Sequence, residues 1–196
     1  MSGGIAQLVA VGAQDAHIVG NPEVSFFRST YKRHTNFAQT VEKQVIQGNP
    51  ATNGMSTVRF ERKGDMLGHV YITNRSPANS TRVQWKDQIK KVELLIGGQV
   101  IDTQTSEFSQ EIVPVMLSQT YSKSLAAATA NKSAVYPLRF SFCENAQSAL
   151  PLIALQYHDV EIRISWGDLT TSPAPANADY EVHAQFVYLD TDERTA

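Results

Sequence analysis

The chain has 196 residues, of which 42% are hydrophobic and 18% are charged, and its formal net charge is -2. This composition predicts a globular chain with its own core, and the small net charge disfavours specific nucleic-acid binding. The single cysteine, Cys143, excludes an internal disulfide and a multi-cysteine metal site. No apolar run reaches the roughly 20 residues of a membrane-spanning helix, so we expect no membrane insertion.

Residues 1–38 are predicted to form an N-terminal arm, either irregular or a short helix with turns, because their apolar residues follow neither a sustained helical nor a strand period. Aromatic and basic side chains alternate in its second half, a pattern seen in segments that bind nucleic acids or acidic surfaces. A solvated or subunit-facing segment is nevertheless the preferred interpretation. We therefore expect this part of the arm to pack on another protein during assembly. The candidate assembly residues are Phe26, Phe27, Arg28, Tyr31, Lys32, Arg33 and Phe37.

From residue 39 onward, short alternating runs separated by turn residues predict an antiparallel sandwich. Gly97-Gly98 is the strongest turn signal, because a two-residue hairpin requires positive φ angles that glycine tolerates. Pro137 predicts either an edge position for its strand or a bulge near the start of the strand. The predicted strands are Thr40–Gln47, Ser56–Arg62, Met66–Ile72, Ile89–Ile96, Gln99–Ile101, Val135–Phe142, Asp159–Trp166 and Tyr180–Leu189.

One stretch, Ser106–Ala128, interrupts the strand pattern. Phe108, Ile112, Val115 and Met116 lie near helical spacing, so we expect a helical or irregular insertion between two strands. The fold class is thus all-β, an eight-stranded antiparallel jelly-roll sandwich over residues 39–196 with an N-terminal arm and this insertion.

Reactive side chains show no convergent pattern in the sequence. The histidines are isolated, and Cys143 lacks an adjacent basic residue that would lower its pKa, so we expect no catalytic residue, no metal site and no cofactor. Three glycosylation sequons, at Asn74, Asn79 and Asn131, are interpreted as chance matches. The histidines are His17, His34, His69, His158 and His183.

Two other functions are compatible with a jelly roll. A carbohydrate-binding module would stack a sugar on Trp85 or Trp166, although Trp166 at a strand end is a better candidate for the core. A metal-binding enzyme of the cupin type would need a close His-x-His pair with an acidic partner, which this sequence lacks. We therefore rank both below a structural role.

Three strings of sequence carry a resemblance to a known family. The first runs from Gly3 to Ala38 and includes GGIAQLVA, GAQD, GNP, FF and YKRHTNFA, the second is ALPLIALQYH from Ala149 to His158, and the third is YLDTDER from Tyr188 to Arg194. In this order the strings resemble the first half of the major capsid protein of nucleocytoplasmic large DNA viruses.

The resemblance implies a structural capsid protein built from two tandem jelly rolls, of which this chain holds the first. Such proteins form homotrimers, pseudo-hexameric capsomers that tile an icosahedral shell in the virion and are assembled in the host cytoplasm. Expected partners are copies of the chain, neighbouring capsomers and minor capsid proteins beneath the shell. We expect Arg28, Lys32 and Arg33 to meet acidic groups there. A minor capsid component is the alternative within this class.

Overall fold

The computed structural model describes residues 3–10, 12–74, 85–117, 135–169 and 180–195. Within these ranges the chain contains ten β-strands. In chain order they are β1 (Phe37–Gln44), β2 (Ile46–Gln47), β3 (Met55–Arg59), β4 (Met66–Asn74), β5 (Ile89–Ile96), β6 (Gln99–Thr105), β7 (Val135–Pro137), β8 (Leu150–Pro151), β9 (Val160–Trp166) and β10 (Tyr180–Leu189).

The strands form two antiparallel sheets of five strands each. Sheet A has the order β1-β10-β4-β7, with β8 also paired to β4, and sheet B has the order β2-β3-β9-β5-β6. Because sequence neighbours such as β3 and β4 lie in different sheets, the chain crosses repeatedly between them, as in a jelly roll. The predicted all-β sandwich is confirmed, and the strand count differs because β2 and β8 are two-residue strands.

One strand predicted from the sequence is two strands in the structure, and they belong to different sheets. Thr40–Gln47 was predicted as one strand, but β1 lies in sheet A and β2 in sheet B, with the break at the exposed Val45. The polar–apolar pattern of the sequence does not reveal the break, so β1 and β2 together look like a single strand.

Val135–Phe142 was also predicted too long, because only Val135–Pro137 belongs to a strand. Leu138 N–H still donates to Val70 O at 3.0 Å, and a 3₁₀ turn follows at Ser141–Cys143. Tyr136, Leu138, Phe140 and Phe142 are all buried as the alternation predicted. Alternation reports which side chains face the core, and these remain inward after strand pairing ends. Pro137 lies in β7 at the edge of sheet A, as predicted.

Short helical segments connect the strands. The predicted insertion is helical where it is described: a π-helical turn at Phe108–Ile112 continues into an α-helical turn at Val113–Met116, while residues 118–128 lie outside the described ranges. The other helices are Gly3–Val9, Asp15–Val19, Trp85–Gln88 and Thr191–Thr195, and further 3₁₀ turns occur at Ala146–Ser148 and Leu152–Ala154. Residues 1–35 and residues 36–196 form two separate units, and all ten strands belong to the second.

The core lies between the inner faces of the two sheets. Trp166 of sheet B and Tyr180 of sheet A have ring centroids 4.6 Å apart. Their polar atoms are satisfied, since Trp166 Nε1 donates to Ser56 Oγ at 2.8 Å and Tyr180 Oη donates to Gln88 Oε1 at 2.6 Å. This contact marks one end of the sandwich, called the Tyr180 end below; β10 runs from there to the opposite, Leu189 end.

The Gly97-Gly98 hairpin is confirmed, with φ angles of 61° and 80°. A different glycine is required by close approach of the backbone at the Tyr180 end. A Cβ on Gly167 would lie 2.1 Å from Asp87 O, and Gly167 N–H donates to Gln88 O at 2.7 Å. The glycine therefore allows the backbone directly after β9 to pack against the Trp85–Gln88 helix that precedes β5.

Gly167→Ala is expected to lower the free energy of unfolding by about 2–4 kcal/mol, because two backbone segments must separate. Gly98→Ala is the control: its Cβ would meet nothing within 4 Å, so only the positive φ is penalised, by about 1–2 kcal/mol. Equilibrium urea unfolding of both variants measures the difference. Equal losses would contradict the close approach at Gly167.

Burial raises the pKa of the Cys143 thiol to about 11, so the thiol stays protonated near neutral pH. We expect the folded chain to react with a thiol-specific disulfide reagent far more slowly than the chain in denaturant, where one equivalent reacts promptly. Absorbance assays at pH 8 measure the rate of the thiol reaction in the folded chain and in denaturant. Prompt reaction of the folded chain would place Cys143 at the surface.

Candidate assembly surfaces

The aromatic–basic segment, defined as Phe26, Phe27, Arg28, Tyr31, Lys32 and Arg33, lies in the N-terminal unit. Phe26, Phe27 and Tyr31 are 95%, 99% and 93% exposed, and the three basic residues are also exposed. Fully exposed aromatic rings leave apolar area in water, which is typical of a surface that becomes buried on association. Among the described residues, no ion pair involves Arg28, Lys32 or Arg33.

Phe37, the seventh candidate residue, belongs to a different element. It is the first residue of β1 and pairs with Leu189 at the Leu189 end of sheet A. Its side chain is exposed, as is that of Val41, which lies on the same face of the strand. The structure thus divides the predicted set between the N-terminal unit and the sandwich.

Arg62 holds a loop in place at the Leu189 end. Its Nη1 donates to Gln156 O at 2.8 Å, and its Nη2 donates to His158 O at 2.8 Å and also to Leu155 O. One guanidinium thereby donates to three carbonyl oxygens of a loop without regular structure, because the planar group carries several N–H donors. Tyr157, at the tip of the loop held by these hydrogen bonds, is exposed to solvent.

Asp65 fixes the end of β10 at the same end of the sandwich. Its Oδ2 accepts from Leu189 N–H at 2.8 Å, and its Oδ1 lies 3.2 Å from Arg194 Nε. Arg194 Nη2 also donates to Leu189 O at 3.2 Å. These contacts attach the Thr191–Thr195 helix to the turn between β3 and β4, so the path of the chain after β10 is set by specific bonds.

The outer faces of both sheets carry paired charges. On sheet A, Glu181 accepts from Lys43 Nζ at 2.8 Å and lies 3.1 Å from His183 Nε2, while the His183 ring stacks on Tyr71. Beside β1, Lys63 donates hydrogen bonds to Glu42 and to Glu61, and these bonds raise the pKa of Lys63, with Glu42 having the larger effect. The lysine ends of these pairs are exposed, so solvent screens the attraction and limits its contribution to stability, but the charges make the faces polar.

Catalytic and binding alternatives find little support in the geometry. No group of three or more His, Cys, Asp or Glu side chains in the described ranges could hold a metal ion. A cleft of about 530 Å³ is lined by Val45, Phe60 and charged residues, but Arg59 is already paired with Asp159 at 2.6 Å. No helix of the described chain is long and apolar enough to cross a membrane.

The two tryptophans cannot stack on a sugar from solvent. Trp85 is 1% exposed and Trp166 is 0% exposed, and both belong to the core between the sheets. The prediction that either ring could bind a carbohydrate is therefore wrong, whereas the preference for Trp166 as a core residue is confirmed. Both rings pack against Tyr180.

Sequence reasoning overlooked Arg62 and Asp65 as organising residues. Both lie in the charged turn Glu61–Asp65, which the pattern identified only as a connection between strands. Their partners are backbone carbonyls and a residue 129 positions away, so no local spacing reveals them. The only available signal was that two of the family-like strings, ALPLIALQYH and YLDTDER, contain these partners.

Comparison with known proteins identifies a family that the chain matches over most of its length. Residues 25–191 match the family model for the N-terminus of the major capsid protein. The chain is 37% identical to the major capsid protein of Pyramimonas orientalis virus, over 99% of this chain and 55% of that protein. It is 30% identical to the major capsid protein of Paramecium bursaria Chlorella virus 1, over 100% of this chain and 50% of that protein.

Solved structures show the same architecture. A quasi-atomic model of the PBCV-1 virus capsid matches with a TM-score of 0.68 and 26% identity, over 87% of this chain and 47% of that one. The Faustovirus major capsid protein matches with a TM-score of 0.61 at 8% identity, which shows a shared fold. The chain spans about half the length of the relatives it matches. By its sequence and its fold, this chain belongs to the major capsid protein family of large DNA viruses, in the region of that family's N-terminal domain.

Proposed function

We propose that this chain is the first jelly roll of a shell-forming capsid protein, whose copies associate as trimeric, pseudo-hexameric capsomers of an icosahedral virion. The observation that carries the proposal is the match of residues 25–191 to the capsid family together with the two-sheet fold. The work of such a subunit is structural and is done by its interfaces. Assembly in the host cytoplasm, in contact with minor capsid proteins beneath the shell, belongs to the same proposal.

The physical properties of the described chain suit this role. Two sheets packed through large buried side chains make a rigid block, because protein interiors are close-packed and resist deformation. Paired charges keep the outer sheet faces polar, so adhesion is restricted to a few apolar sites. The aromatic–basic segment is one of these sites, and its rings have the size that interface cores favour.

The aromatic–basic segment is proposed to contact a neighbouring subunit or a minor capsid protein. Replacing Phe26, Phe27 and Tyr31 together with Ser should abolish or strongly reduce particle formation by the full-length protein, because apolar area of the contact is lost. Thermal unfolding should stay unchanged, since these rings contact water in the free chain. Electron microscopy of particles and calorimetry of the free protein measure the two effects.

Tyr157→Ser is the matched control, because Tyr157 is a similarly exposed aromatic residue outside the segment. It should leave particle formation at the wild-type level. Normal particles from the triple Ser variant would contradict the proposed role of the segment.

The basic residues of the segment are proposed to meet acidic groups on the partner. Arg28→Ala, Lys32→Ala and Arg33→Ala in one chain should weaken assembly most at low ionic strength and progressively less as salt is added, because salt screens the lost attraction. Light scattering across a salt series measures the dependence. A loss of assembly that is the same at every salt concentration, or no loss at all, would count against charge pairing.

A further inference from the structure

Strand β1 has its apolar side chains on the outer face of sheet A. Its register places Glu42 opposite Ala184, which is fully buried in the core. Paired residues of an antiparallel ladder share a face, and side chains alternate along a strand, so Glu42 lies on the inner side while Phe37 and Val41 point outward. These two are 58% and 51% exposed. The alternation of β1 is therefore the reverse of that expected for a strand whose outer face contacts water.

The outward apolar residues of β1 continue across the sheet. Phe37 lies opposite Leu189 of β10, and two positions further along β1 a row of paired residues crosses four strands. The row consists of Gln39 in β1, Val187 in β10, Met66 in β4 and Pro151 in β8. Leu189, Val187 and Met66 are half-buried, and Pro151 is exposed. We call the apolar residues of this region the sheet A patch: Phe37, Val41, Met66, Pro151, Val187 and Leu189.

The other half of the same face is charged, and its charges are paired. Toward the Tyr180 end, Glu181 accepts from Lys43 Nζ at 2.8 Å and lies 3.1 Å from His183 Nε2. Toward the Leu189 end, the sheet A patch contains no charged residue. Two glutamine amides beside it, Gln39 and Gln185, hydrogen-bond to each other at 3.2 Å. The face is thus suited to water in one half and to contact with an apolar surface in the other.

The absence of charge in the sheet A patch indicates the chemistry of its occupant. Permanent protein contacts resemble a section through a core, whereas transient contacts are about as polar as the rest of a protein surface. Partners rich in phosphate are attracted by basic residues, which the patch lacks. An apolar, uncharged protein surface is therefore the complement.

The path of the chain indicates where that surface comes from. Strand β10 ends at Leu189, a member of the patch, and the Thr191–Thr195 helix follows directly. Asp65, the residue before Met66, accepts from Leu189 N–H at 2.8 Å and lies 3.2 Å from Arg194 Nε. These bonds hold the helix beside the patch, so the polypeptide leaves sheet A next to this apolar surface.

The matched relatives are longer than this chain, which corresponds to the N-terminal region of their family and covers 55% and 50% of two of them. In a protein of that length, the residues after position 196 begin within about 25 Å of Leu189 even if the connection is fully extended. A surface tethered so closely has an effective concentration of about 1 mM, which favours it over a surface on a separate molecule.

We propose that the sheet A patch is the docking site for the second half of the full-length protein, which packs an apolar, uncharged surface against it. The inference rests on the part of the proposed function that makes this chain the first half of a longer subunit. The contact forms within one polypeptide and exists before copies associate. It accounts for the reversed alternation of β1, and it assigns Phe37 to a contact inside a subunit instead of one between subunits.

The first test compares two introduced cysteines in the full-length protein, Val41→Cys in the patch and Ile101→Cys as the matched control. Ile101 belongs to β6 at the edge of sheet B and is 56% exposed, close to the 51% of Val41. The native proteins are treated with a soluble maleimide, and mass spectrometry of the peptide that contains each position measures its reaction. Val41→Cys should react more slowly by about tenfold or more, because a covered thiol reacts only after local opening. Equal rates would overturn the proposal.

The second test identifies the surface that covers the patch. Benzoylphenylalanine replaces Val41 in the full-length protein and is photoactivated, and the crosslinked peptides are sequenced by mass spectrometry. A crosslink to a residue beyond position 196, with the mass of the polypeptide unchanged, supports the proposal. A polypeptide of doubled mass means that another copy covers the patch, and a crosslink confined to residues 1–196 means that the N-terminal half covers itself. Either result overturns the proposal, as does the absence of any crosslink.

Failure of this inference is distinguishable from failure of the proposed function. Capsomers that form normally while position 41 reacts as fast as position 101 overturn the inference alone. A full-length protein that remains a monomer overturns the proposed function, and protection of position 41 in that monomer would still support the contact between the two halves.

Discussion

Burial of the inner faces of two sheets against each other is the constraint on which the rest of the structure depends. The chain crosses repeatedly between the two sheets, so each strand is held in place only if its inward side chains pack against those of the opposing sheet. Trp166 and Tyr180 show the requirement most clearly, since each ring spans the interface and each polar atom finds a partner at the Tyr180 end. Leaving either polar atom unpaired in this core would cost about 1–3 kcal/mol.

A core satisfied in this way leaves the outside of the sandwich free for other purposes. The sheet faces are made polar by ion pairs such as Lys43–Glu181, and the bonds of Arg62 and Asp65 organise loops at the Leu189 end. Some apolar side chains remain exposed beside these charges, including those of the aromatic–basic segment. For a protein of a capsid family this division is physically coherent, because a rigid block with few adhesive sites joins its neighbours in defined ways.

Much of the fold was predictable because burial leaves a periodic trace. The alternation at Val160–Trp166 and at Tyr180–Leu189 identified both strands, and the glycine pair at 97 and 98 identified the hairpin through its positive φ angles. The crossing at Val45 was missed because alternation records which face is buried and not which sheet a strand joins. The early end of β7 was missed for the same reason, since Leu138 and Phe140 remain buried without strand pairing.

The candidate surfaces were less accessible to prediction. The aromatic–basic pattern led us to expect a solvated or subunit-facing segment, and Phe26, Phe27 and Tyr31 are exposed in the structure. The pattern carries no information about which surface they would contact. The residues Phe108, Ile112, Val115 and Met116 had the spacing of a helix, but spacing alone could not tell that their side chains are exposed, because the helical period is the same whichever face is buried. Arg62 and Asp65 act on residues distant in sequence, so only the folded chain reveals them.

If this chain works as part of a self-associating capsid subunit, the mass of the native oligomer will reveal it. Native mass spectrometry of the virion-derived polypeptide gives both the chain mass and the number of copies. We expect a chain of roughly twice the present length, in keeping with relatives of which this chain covers about half, associated as a trimer. A monomer of 196 residues would contradict it and would favour a minor capsid component instead.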